Sequence, residues 1–75
     1  MDYIELPPAI FDYEPSNYAV MYAPDEEMPA LCGWRVIACT RPARRIIIIS
    51  TELRGAALAR ALRHEKAHLN GWRHA

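Results

Sequence analysis

Apolar positions along this chain fall into two regimes, scattered among prolines before Gly33 and periodic after it. Trp34, Val36, Ala38 and Thr40 alternate with Arg35, Ile37, Cys39 and Arg41, the period of a strand with two unequal faces. Arg41-Pro42-Ala43-Arg44 predicts a turn, since proline's fixed φ suits its first central position. Residues 45–49 predict a second strand, and the four isoleucines at 46–49 require burial on both faces, inside a sheet. The first strand, with its proline and arginines, is then the edge. Together they predict a β-hairpin over about residues 34–50.

After the hairpin the period changes. Ser50-Thr51 carries a helix N-cap signal, and Glu52 in the first turn suits the helix dipole. Residues 51–70 predict one long helix. At about 100° per residue, Leu58, Leu62 and Leu69 form a stripe for the core. His64 and His68 lie with Leu53 and Ala57, about 120° round from that stripe. Arg60, Arg63 and Lys66 fill the remaining arc, toward solvent, and Glu65 falls between leucines and histidines. The fold class expected is α+β: a small sheet with a hairpin, followed by one long helix.

Residues 1–30 hold five of the six prolines and no sustained helical period. Short extended pieces are predicted at 3–6, 9–13 and 18–22, the last because Tyr18, Val20 and Tyr22 alternate with Ala19 and Met21. Pro24-Asp25-Glu26-Glu27 reads as a turn or a single helical turn. The tyrosines Tyr3, Tyr13, Tyr18 and Tyr22 are amphipathic packing residues in the simplest reading, or one of them an oxyanion donor. The chain, 1–75, reads as one domain: an acidic, proline-rich region (1–30) and a hairpin-plus-helix unit (33–75).

At 75 residues the core is near the lower limit for independent stability, so a bound metal or partner would contribute noticeably. The aliphatic run 46–49 falls far short of a membrane span. Met1-Asp2-Tyr3-Ile4-Glu5 lacks the basic and apolar segments of a signal peptide. These features predict a cytoplasmic protein with no membrane partner. Cys32 and Cys39 flank the first predicted strand; extended backbone between them would hold them too far apart for a disulfide, so free thiols are expected. The net charge of zero hides a division. Residues 1–30 carry seven Asp or Glu and no Lys or Arg, whereas 31–75 carry all nine Lys and Arg and two Glu. Either the acidic half packs on the basic half, or a basic face meets nucleic acid or an acidic partner.

The chemistry concentrates at the end. His64-Glu65-Lys66-Ala67-His68-Leu69-Asn70-Gly71-Trp72-Arg73-His74 has the spacing H-E-x-x-H-x-x-G-x-x-H. Five fixed letters arise by chance in about one in 10⁴–10⁵ chains this short, so the spacing is a signal. On a helix, His64 and His68 turn both imidazoles toward one point, and Gly71 can take the left-handed conformation that ends the helix and brings His74 back. Three histidines are a ligand set for Zn²⁺, and Glu65, directly after the first, stands where a general base would sit.

At these residues the chain resembles the zincin metallopeptidases, more narrowly the metzincin group, and its hairpin-then-helix order is similar to theirs. The resemblance implies that His64, His68 and His74 bind zinc and that Glu65 takes the proton of the attacking water. It implies an edge strand along which a peptide or protein substrate adds, with Trp34, Val36 and Ala38 on it. Metzincins continue into a lower subdomain with a methionine-bearing turn, whereas Met1, Met21 and Met28 all precede the motif here. The chain thus looks like a minimal or truncated zincin, with a second copy or a partner subunit as a candidate cover for that side.

A rival reading makes zinc structural, in a non-catalytic zinc-binding or protein-interaction module. It needs a fourth ligand from Cys32, Cys39, the Ala75 carboxylate or another chain. A third reading, a basic nucleic-acid-binding protein, has no recognised motif behind it.

Overall fold

A computed structural model describes residues 4–74. Three strands, β1 (Ala19–Ala23), β2 (Ala38–Arg41) and β3 (Ile46–Ser50), form one sheet in the order β1-β3-β2, with helices α1 (Met28–Cys32) and α2 (Gly55–Leu69). β3 is central, as its isoleucines require. Ile47 and Ile49 pack toward α2 with Ala38, Ala61 and Leu69, whereas Ile48 packs on the other face with Ala23 and Met28. Ile47 and Ile49 are fully buried and Ile48 nearly so. A strand with apolar neighbours on both sides has no polar face to alternate.

β2 and β3 are the expected antiparallel hairpin, joined by a 3₁₀ turn at Pro42–Arg44 that Arg45 closes in the left-handed conformation. From there the Arg45 guanidinium donates to the Ser16, Asn17 and Leu69 carbonyls, tying the end of α2 to the turn. β1 pairs with β3 in parallel, Ala19 opposite Ile46 through Ala23 opposite Ser50. The sheet is therefore mixed, with β2 on one edge.

Four expectations need correction. The first hairpin strand begins at Ala38, because Gly33 and Arg35 take positive φ (101° and 61°) and turn the chain at 33–37. Trp34 and Val36 consequently lie outside any strand, and Trp34 is 83% exposed. Because that stretch is not extended, Cys32 and Cys39 approach to a Cα–Cα distance of 5.6 Å and form a disulfide; they are not free thiols. The helix starts at Gly55, not at Thr51. Ser50 extends β3 instead: its amide donates to Ile37 O, its hydroxyl donates to Asp25 and accepts the Glu52 amide, and Thr51 N–H goes to Ala23 O. Finally, residues 9–11 form a 3₁₀ turn, not an extended piece. The piece expected at 3–6 begins outside the described residues, and 18–22 corresponds to β1.

The core row of α2 is Ala61, Glu65 and Leu69, with Leu58 and Leu62 half-buried at its flank. Small Ala61 lets the helix sit close on the sheet. The arc expected to face solvent is partly covered by residues 4–14, an arm that lays its acids on the helix. Asp12 pairs with Arg63, Glu14 with Lys66 at 2.8 Å, and Arg60 donates to Ile4 O. The acidic half thus packs on the basic half. Arg63 and Lys66 hold the Asp12 and Glu14 carboxyls below their ordinary pKa values, chiefly by hydrogen bonding, and their own pKa values are raised in return.

Candidate metal centre

α2 ends in a turn that sets the site. Gly71 N–H donates to His68 O at 3.1 Å and Trp72 N–H to Ala67 O at 3.0 Å, the paired bonds of a Schellman motif, with Gly71 at φ 104°. The reversal returns residues 72–74 alongside the helix. His64 and His68, one turn apart on α2, and His74, beyond the turn, then face one another. His68 Nε2 is 3.1 Å from His64 Nε2 and 3.1 Å from His74 Nε2. One nitrogen from each of the three lies within 4.8 Å of the others.

The far side of each ring meets an oxygen. His64 Nδ1 is 2.5 Å from Glu5 O, and His68 Nδ1 is 2.7 Å from Trp72 O. His74 Nδ1 is 3.7 Å from Glu5 Oε1, within ion-pair reach but longer than a hydrogen bond. A carbonyl oxygen only accepts, so Nδ1 of His64 and His68 must carry the proton in these contacts. With that tautomer, His64 and His68 aim Nε2 lone pairs at each other, an arrangement that a cation between them relieves. Orienting oxygens behind ligand imidazoles are a recurrent feature of metal sites. A tetrahedral ion with metal–nitrogen distances of about 2.0–2.1 Å keeps its ligand nitrogens about 3.3 Å apart, close to the two separations of 3.1 Å that His68 makes with His64 and His74. The three residues fit a divalent cation.

Glu65 is buried (8% exposed) and lines the same cleft of about 730 Å³ as the three histidines. It is not part of the ligand cluster, which among the described residues contains only histidines. Thr40 on β2 donates to Glu65 Oε1 at 2.6 Å and fixes the carboxylate between helix and sheet. The structure therefore brings His64, His68, His74 and Glu65 to one cleft. Val36 and Ala38 lie on its wall, and Ala38 begins the edge strand; Trp34 does not line it.

Three participants were missed by the sequence reading. Trp72 is buried at 9% exposure, stacks on His68 (centroids 4.9 Å apart, planes 10° from parallel) and meets His64 and His74 at steeper angles. Its place one residue after Gly71 was the available signal, because the residue following a Schellman glycine commonly packs back on the helix. Thr40 and Glu5 carried none, since their roles depend on contacts 25 and 59 residues away in the chain.

Cys32 and Cys39, joined to each other, offer no thiolate as a fourth ligand. The Ala75 carboxylate lies outside the described residues. Comparison with known protein families, with curated proteins and with solved structures finds no match to this chain.

Proposed function

We propose that the chain is a zinc-dependent hydrolase, a small metallopeptidase with Glu65 as general base. The observation that carries this reading is the convergence of His64, His68 and His74 in a cleft shared with a buried, non-ligating carboxylate. A bound divalent cation would supply positive charge that acidifies water and polarises a carbonyl. His64, His68 and His74 would hold it. Glu65, aimed by Thr40, accepts a proton from a water in the cleft as the new C–O bond forms. It then delivers that proton to the leaving nitrogen as the C–N bond breaks. The outer edge of β2, at Ala38–Arg41, supports a peptide substrate, because it has no strand partner on that side among the described residues. The resemblance to zincins remains part of the proposal, as does a second copy or partner subunit completing the side away from the sheet.

No helix among the described residues is long and apolar enough to cross a membrane. The cytoplasmic location expected from the N-terminus meets a counter-argument in the Cys32–Cys39 bond, since disulfides persist in oxidising compartments and are reduced in the cytosol. A cytoplasmic enzyme would carry these residues as thiols.

The test is metal content and hydrolysis measured together. Zinc-loaded protein should bind one ion per chain and generate new termini in a peptide mixture read by mass spectrometry. Glu65→Gln should keep the ion and lose turnover by about 10²–10⁴-fold. Undiminished cleavage in that variant, or no stoichiometric metal in the wild type, would overturn the proposal. Metal retained with no hydrolysis by the wild type would leave the non-catalytic module.

A further inference from the structure

The arm formed by residues 4–14 does more than cover the helix. Glu5 meets two of the three histidines at once, through its carbonyl oxygen at His64 Nδ1 (2.5 Å) and its carboxylate near His74 Nδ1 (3.7 Å). We propose that this arm is a working part of the metal centre, with Glu5 a positioning residue that holds His74, and that arm docking and metal binding are one linked equilibrium. The inference rests on the metal reading above and adds to it a residue and a regulating segment.

The three ligands are not equally supported. His64 and His68 are carried by α2, and His68 Nδ1 is held by the Trp72 carbonyl of the same helix end. His74 lies beyond the turn, its side chain half exposed, and the Glu5 carboxylate is the one oxygen placed behind its ring among the described residues. A ligand on a chain end keeps its orientation only if something fixes it. Glu5 is itself exposed, so its own position must come from the arm's anchors. Asn70 Nδ2 donates to Phe11 O at 2.9 Å and to Tyr13 O at 2.7 Å. Asp12 and Glu14 grip Arg63 and Lys66, and Ile4 O takes a hydrogen bond from Arg60. All of these partners sit on α2 or its C-cap. The arm is thus fastened to the element whose ligands it orients.

The consequence is reciprocal. A cation drawn to three converged nitrogens favours the docked arm, and a docked arm raises affinity for the cation by the same factor. Undocking would leave His64 without its carbonyl and His74 without its carboxylate, reducing the site to a loose set.

The experiment is a Co²⁺ and Zn²⁺ titration against a competing chelator, with folding checked by circular dichroism. Wild type should bind one equivalent, with the intense visible absorption of four-coordinate Co²⁺. Glu5→Gln removes the carboxylate and keeps the carbonyl; affinity should fall about tenfold, the lower end of the range for orienting partners of ligand histidines, and the Co²⁺ band should weaken. In a His74→Ala background the same change should cost about twofold or less, because the residue it positions is gone. A general charge effect would instead persist at full size. Asp12→Asn combined with Glu14→Gln alters no ligand, yet should weaken binding by about threefold or more. Unchanged affinity in either variant, or an undiminished Glu5→Gln effect without His74, overturns the inference. A wild type that binds no metal fails differently, overturning the metal reading itself and the inference with it.

Discussion

Thr40 Oγ1 lies 2.6 Å from Glu65 Oε1 and 3.1 Å from the Glu65 carbonyl, so one hydroxyl on the edge strand addresses both the side chain and the backbone of the buried acid on α2. The contact couples sheet to helix at the point where the proposed base stands. Thr40→Val keeps the shape and removes the donor, leaving a buried carboxylate oxygen unpaired. Stability should fall by about 1–3 kcal/mol in chemical denaturation. Turnover should fall as well, with zinc affinity unchanged, because Thr40 touches no histidine nitrogen. A variant with wild-type turnover would remove Thr40 from the mechanism.

Gly71 tests the turn that delivers His74. A Cβ there would meet nothing closer than Phe11 Cε1 at 3.9 Å, so space is not the obstacle; the φ of 104° is. Gly71→Ala should cost about 1–2 kcal/mol in thermal melting and weaken metal binding more than it weakens the fold. Equal melting temperatures for variant and wild type would show that the turn tolerates a side chain.

Where the chain's structure is set locally, it was legible beforehand. The isoleucines 46–49 could only be an interior strand, and the spacing of His64, His68, Gly71 and His74 implied a helix that stops and turns back. Errors arose where a local pattern had two solutions. Trp34 to Thr40 alternates as a strand would, but Gly33 and Arg35 turn the backbone through positive φ, and the cystine follows from that turn. Ser50 and Thr51 are good cap residues, yet their amides are claimed by Ile37 and Ala23, partners that only the assembled sheet provides. Glu5 was invisible for the same reason, because a backbone carbonyl acting behind an imidazole leaves no signature in composition or period.

The disulfide is open to direct counting. Protein denatured without reductant should show no titratable thiol, and two after reduction. Cys32→Ser with Cys39→Ser should lower stability by about 2–3 kcal/mol, the entropy of closing so short a loop. Because Cys39 lines the cleft and the loop carries Val36, substrate affinity should change with it. Two thiols before reduction would refute the bond.

Acid should loosen the arm before it unfolds the sheet. Asp12 is held below its ordinary 3.8 by the hydrogen bond from Arg63, and Glu14 below 4.5 by hydrogen bonds from Lys66 and Tyr18. A carboxyl whose folded pKa is depressed contributes its full stabilisation above the unfolded value and loses it as pH falls through the folded one. The contribution of these two pairs to arm docking should therefore be constant above about pH 5 and decline below about pH 4. Both pairs are at the surface, so added salt should weaken docking at neutral pH as well. Amide exchange at Asp12, whose N–H donates to Ala9 O, reports the release. Asp12→Asn should flatten its acid limb.

Trp72 offers a spectroscopic handle on the centre, because the two tryptophans differ so sharply in environment. Trp34 is 83% exposed, whereas Trp72 is buried with its ring parallel to His68. Trp34→Phe should cost little, since an exposed side chain outside any strand has few contacts to lose. It leaves Trp72 as the sole indole. A cation taken up by His68 alters the ring stacked on that indole, so emission should change with metal and saturate at one equivalent. Trp72→Ala would remove the ring that contacts all three histidines and open a cavity, at a cost of about 3–5 kcal/mol. Trp72→Phe keeps an aromatic face and the carbonyl that orients His68, and should retain most of the metal affinity. If emission of the Trp34→Phe protein ignored saturating zinc while bound metal was detected independently, the ion would have to lie away from His68.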